Sequence, residues 1–138
     1  MDNVITKMRN GERFTEKDSE FPKVMEEVEN TRKLVGELNT GYHTMDEVRE
    51  LLEQIWGQSL DKSVRMYPPF NTNLGKLTHV GKGVFINMGC TFLDQGGITI
   101  DDDVFIAPGV QIFTEEHSEN PATRHNLLTR PVVIKKNA

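Results

Sequence analysis

The side chains with the most chemistry to offer are the histidines at 79, 117 and 125. A histidine is the side chain suited to proton transfer near pH 7, and it is also a frequent metal ligand. His117 and His125 fall in a polar stretch at about 114–130 that also carries Arg124. That stretch interrupts an otherwise regular pattern, and long loops on rigid scaffolds often carry function. Metal ligation needs side chains that converge, and a separation of eight residues between His117 and His125 does not by itself bring them together. The single cysteine, Cys90, occupies a small interior position of the pattern and reads as core rather than as nucleophile. Asn87 follows Ile86 directly, so its amide should point outward, where it could both donate to and accept from a ligand hydroxyl.

The pattern that must position these groups runs from Leu74 to Ile112. Leu74, Val80, Ile86 and Phe92 are six apart, and Ile100, Ile106 and Ile112 keep the same period. The step from Phe92 to Ile100 is eight and contains Gly96 and Gly97. A period of six is neither helical nor strictly alternating. With a small or β-branched residue four later, as at Val84, Cys90, Val104 and Val110, it describes a hexapeptide β-helix. Three hexads would close a triangular coil of about 18 residues, and coils must stack because none buries its apolar edge alone. The rhythm stops after Ile112 and returns at Ile134, so the polar stretch leaves the coil between two regular strands. The spacing thus predicts a mainly β protein with a small helical segment at 1–60 and a parallel β-helix at 61–138.

Two helices are expected ahead of the repeats. Val24, Val28, Thr31, Val35 and Leu38 are spaced 4, 3, 4, 3, with Asp18 or Ser19 as the N-cap and Pro22 in the first turn. Thr44 and Glu47 form a capping box for a second helix, whose apolar face is Val48, Leu51, Leu52 and Ile55 and whose end is Gly57. Residues 1–17 read as a polar segment with a turn at Gly11, and 58–73 as an extended connector through Tyr67-Pro68-Pro69-Phe70.

A chain of 138 residues with 36% hydrophobic and 27% charged residues fits one soluble globular unit. The net charge of −5 and the absence of a basic cluster argue against nucleic-acid binding. One cysteine fits a reducing compartment, and neither a signal peptide nor a membrane span is evident, so a cytoplasmic location is expected.

Four stretches together resemble the maltose/galactoside O-acetyltransferases, the sugar branch of the hexapeptide-repeat acyltransferases. They are Met8 to Phe14, Pro68-Pro69-Phe70, Asn87 to Asp94, and Ile106 to His117 (IAPGVQIFTEEH). The resemblance implies a left-handed coil, a homotrimer with an active site in each inter-subunit groove, and acetyl transfer from acetyl-CoA to a sugar hydroxyl such as that of maltose, glucose or a galactoside. It implies His117 as the general base, and Asn87, Asp94, Glu16 and Asn73 as acceptor contacts, with no metal. It also implies that the chain is shortened at its C-terminal end, with most acetyl-CoA contacts beyond Ala138. Two other readings are weighed against it: a truncated, catalytically silent trimer, and a zinc-dependent β-helix protein like the carbonic anhydrases, using His79, His117 and His125.

Overall fold

The computed structural model of the protein describes residues 2–10, 12 and 15–138. Gly11, Arg13 and Phe14, and with them the expected turn, lie outside the described residues.

Short parallel strands stack in three faces. On the first, β1 (Arg65–Met66), β4 (Phe85–Ile86) and β7 (Phe105–Ile106) pair in the register Met66, Ile86, Ile106. On the second, β2 (Phe70–Thr72), β5 (Cys90–Leu93) and β8 (Gln111–Phe113) align Thr72, Phe92 and Ile112. On the third, β3 (Thr78–Val80), β6 (Ile98–Ile100) and β11 (Val132–Ile134) align Val80, Ile100 and Ile134. The result is a left-handed parallel β-helix. Inward positions carry Met66, Ile86, Phe92, Ile100 and Ile106, all nearly inaccessible to water. Fully burying each such side chain contributes about 1.5–3 kcal/mol, so stacking alone accounts for much of the fold's hold.

The coil is larger than hexads predict. Partners recur every twenty residues, from Met66 to Ile86 to Ile106, rather than at about eighteen. The extra residues lie in one corner, which takes eight positions from Thr72 to Val80 and again from Phe92 to Ile100. Leu74 therefore falls outside the inward ladder, where Thr72 stands instead. It packs with Val4, Met8, Val24 and Leu77 in a second, smaller core. The stretch at 58–73 is likewise not a simple connector, because β1 and β2 already form the first coil there, with the Pro68–Pro69 peptide cis.

Three helices precede the coil. The first, α1 (Asp2–Arg9), replaces the polar segment expected there; it buries Val4 and Met8, one turn apart. Next, α2 (Phe21–Leu38) buries Val24, Thr31 and Leu38 as the spacing predicts. Its N-cap residue is Glu20 without a side-chain cap, because Asp18 instead accepts from the Thr15 N–H and pairs with Lys7 at 2.7 Å. Finally, α3 (Met45–Trp56) carries the full Thr44/Glu47 capping box and ends on a left-handed Gly57. Its buried face, Val48, Leu51, Leu52, Ile55 and Trp56, closes the first end of the coil. Trp56, Phe70 and Phe92 run edge-to-face from helix into coil, with centroids 5.9 and 5.0 Å apart. The Asn39 side chain, just past α2, both donates to and accepts from the Phe70 backbone, acting as a strand neighbour for β2. Among the described residues no helix is long and apolar enough to cross a membrane.

Candidate active site

The third coil's eight-residue corner is where the chain leaves the β-helix. It departs after Thr114 and returns at Arg130, whose N–H donates to the Thr114 carbonyl at 2.8 Å. Gly96 lies between these two strands of backbone: a Cβ there would sit 2.7 Å from both the Thr114 and the Arg130 carbonyl oxygens, so no other residue fits without moving the exit. The excursion is not irregular. Strands β9 (Glu115–His117) and β10 (Leu127–Thr129) pair antiparallel, Glu115 opposite Thr129 and His117 opposite Leu127. A 3-10 turn at Pro121–Thr123 closes the tip, capped by the Asn120 side chain. The N-terminal helix anchors the base, since the buried Thr129 hydroxyl donates to the Met8 carbonyl. Leu127 packs on the same small core as Val4 and Met8.

His117 is exposed on this hairpin. Its Nδ1 is 3.0 Å from the Arg124 carbonyl, which can only accept, so Nδ1 carries the proton in the neutral ring. Nε2 is then the basic nitrogen. A backbone carbonyl that fixes the tautomer and the ring plane also prepares the ring to take a proton at its other nitrogen.

His117 lines a cleft of about 370 Å³, together with Glu16, Asn73, Gln95, Glu115 and His125; Phe21, Val24 and Leu127 form apolar wall. Three of the expected residues thus meet here: His117, Asn73 and Glu16. Glu16 approaches His125 to 3.7 Å across the mouth. Asn73 donates from Nδ2 to Glu115 Oε1 at 2.6 Å and accepts the Leu74 N–H at 2.8 Å.

Two expected residues lie elsewhere. Asn87 stands at the corner after β4, half-buried, its Oδ1 accepting the Met88 N–H at 2.8 Å, and it does not line this cleft. Asp94 is turned away from the cleft altogether. Its side chain is fully buried, and its carboxylate accepts from the Gly75 N–H, the Leu77 N–H and the Thr78 hydroxyl. It holds the corner of the preceding coil and offers nothing to a ligand in the cleft. The residue that does face the cleft at this corner is its neighbour Gln95. His79 lines a different groove, with Gln58, Asp101 and Lys136, so within one chain it does not converge with His117 and His125.

Glu115 is the residue that sequence reasoning passes over. Burial holds its carboxyl above the ordinary glutamate range; the Asn73 hydrogen bond opposes this and the Asp94 charge adds to it. The folded state therefore binds this proton more tightly than the unfolded chain does. Its stabilising share is complete at low pH and is lost as pH rises from the ordinary glutamate value through the raised one. Glu115→Gln keeps an acceptor for Asn73 and removes the titration. Urea unfolding between about pH 4 and about pH 8 should show stability declining less with rising pH in the variant than in wild type. Parallel curves would contradict the assignment.

No protein-family model matches the chain. Nodulation protein L of Rhizobium leguminosarum bv. viciae is 38% identical over 90 residues, 64% of this chain and 46% of that protein. A maltose O-acetyltransferase structure from Clostridium difficile superposes with a TM-score of 0.85 at 29% identity, covering 97% of this chain and 71% of that one. A hexapeptide-repeat acetyltransferase from Vibrio cholerae, solved with acetyl coenzyme A, gives a TM-score of 0.77 at 30% identity over 96% of this chain and 70% of that one. The chain thus spans about half of the nodulation protein and about 70% of each solved structure. With the twenty-residue coil, the hairpin that interrupts it and the motifs carried on both, the chain belongs to the hexapeptide-repeat acetyltransferases of the maltose/galactoside O-acetyltransferase family.

Proposed function

We propose that the protein transfers an acetyl group from acetyl coenzyme A to a hydroxyl of a sugar, with His117 as the general base. The observation that carries this reading is the Nδ1–H bond to the Arg124 carbonyl, which leaves Nε2 basic at a cleft large enough for a sugar ring. A hydroxyl is a poor nucleophile until its proton leaves. Nε2 takes that proton as the oxygen attacks the thioester carbonyl, and the imidazolium returns it to the departing coenzyme A thiolate. Positioned proton transfer of this kind is worth about 10²–10⁴-fold. Asn73 is tied to Glu115 in the cleft, and Glu16 lies at its mouth, placed to meet further hydroxyls of the acceptor.

The first face of the coil supports association into a homotrimer. Tyr67, Phe85 and Phe105 form an outward aromatic ladder, with centroids 5.2 and 6.0 Å apart, and Arg65 lies over the Phe85 ring. Phe105 is 67% exposed and Met88, beside Asn87, 50% exposed in the single chain. Covering these side chains with further copies would take this apolar surface out of water.

The test is thiol release from acetyl coenzyme A with maltose, glucose, a galactoside or glucosamine as acceptor, with the acetylated sugar identified by mass. Acceptor-dependent release is expected. Release without any acetylated sugar, or none at all, would overturn the reading.

A further inference from the structure

We infer that Glu115 makes the cleft selective for acceptors that carry a protonated amine, such as an amino sugar, over neutral and phosphorylated ones. The inference rests on the reading above only in taking the His117 cleft as the acceptor site. Glu115 and His117 alternate on β9, two residues apart, and so present their side chains to the same side of the hairpin, into one cavity. The hydrogen bond shown to the Glu115 carboxylate comes from the neutral amide of Asn73, which supplies no charge.

Among the described residues no lysine or arginine lines the cleft, whereas Glu16, Glu115 and Glu116 all do. Two of the cations close by in sequence or space are engaged elsewhere. Lys7 pairs with Asp18 at 2.7 Å, and Lys76 donates to the Gln54 and Ile55 carbonyls at the end of α3. Arg130 lines the groove on the other side of the hairpin. Two histidines able to charge line the cleft: His117, which acts on Glu115 only when protonated, and His125, which meets Glu16 and is largely exposed.

A half-buried carboxylate with only neutral donors is a site short of one positive charge. Burial has already removed some of its water, so an arriving ammonium meets a preorganised acceptor. The same loss of water raises the carboxyl's proton affinity, against the Asn73 hydrogen bond and the pull of a charged His117. A phosphate at that place would face the carboxylates of Glu115 and Glu16 and no lysine or arginine among the described residues. The apolar wall of Phe21, Val24 and Leu127 suits the C–H face of a sugar ring, leaving polar substituents to turn towards Asn73 and Glu115.

The experiment is calorimetric binding of D-glucosamine, D-glucose and D-glucose 6-phosphate to the whole chain at about pH 7, without acetyl coenzyme A. The expected order is glucosamine, then glucose, then glucose 6-phosphate. The first step should be about 10- to 100-fold, the worth of a hydrogen bond to a charged group. In Glu115→Gln the two sugars without phosphate, glucosamine and glucose, should bind alike. A preference for the amine that persists in the variant overturns the proposal. So does a wild type that binds glucose or its phosphate as tightly as glucosamine, or that binds none of the three; these wild-type arms hold even if the variant fails to fold. Because no acetyl donor is present, amine preference without acetyl transfer would refute the proposed reaction and leave this inference standing. Acetyl transfer without amine preference would do the reverse.

Discussion

Replacing His117 by alanine is expected to lower kcat for acetyl transfer at least about a hundredfold while leaving the fold in place. The two halves of that expectation rest on different observations. Loss of rate follows from chemistry: without Nε2 the hydroxyl proton must go to water as attack proceeds, and nothing else lining the cleft among the described residues is a neutral base held by a backbone carbonyl. Retention of the fold follows from place. His117 is exposed, its hydrogen bond to the Arg124 carbonyl lies at the surface, and the hairpin's hold on the body comes from Thr129, Leu127 and Arg130. A surface change of this kind typically costs less than about 1 kcal/mol. Steady-state kinetics beside a denaturant titration therefore separate the two. Turnover within a few-fold of wild type would remove His117 from the role, and a collapsed transition would show that it holds structure instead.

The second large effect is one of stability. Asp94→Ala should destabilise the protein by about 3–5 kcal/mol, because buried donors left without an acceptor cost about 1–3 kcal/mol each. The carboxylate satisfies the N–H groups of Gly75 and Leu77 and takes the hydroxyl proton of Thr78, at 2.9, 3.1 and 2.9 Å. All three donors belong to the eight-residue corner of the previous coil, where no strand partner is available to replace it. Thr114 does the same for the next coil, accepting the Gly96 N–H at 2.9 Å. Each wide corner is thus held by a polar side chain from the coil stacked on it. The Thr78 hydroxyl can turn to another acceptor, but the two backbone N–H groups cannot. Chemical denaturation would show the loss directly; a midpoint close to that of wild type would mean that water reaches the corner and takes over the bonds.

The histidine and the aspartate also mark where the chain is readable and where it is not. The six-residue rhythm, the Thr44/Glu47 box and the interior place of Cys90 are local patterns, each dictated by one period or one cap, and the structure follows them. Their phase is harder to read. Leu74 fits a count of six back from Val80, yet the wide corner moves the inward position to Thr72, a residue whose polarity hides it from an apolar pattern. The same corner decides which of Asp94 and Gln95 turns inward. In α1 the buried side chains among the described residues are Val4 and Met8, too few to stand out, and the groups that receive them, Val24, Leu74, Leu77 and the hairpin, lie far off in sequence. Glu115 is invisible for a similar reason. Read as loop, its neighbours say nothing; read as a strand, its alternation with His117 puts both on one side.

The most direct test of the account is a crystal structure of the protein with acetyl coenzyme A and a sugar acceptor, in the wild-type chain or in a variant slowed enough to hold both. An acceptor hydroxyl should lie within about 2.6–3.2 Å of His117 Nε2, with Nδ1 still on the Arg124 carbonyl. An acceptor seated away from the His117 cleft, or a ring turned so that Nε2 faces protein rather than sugar, would contradict it.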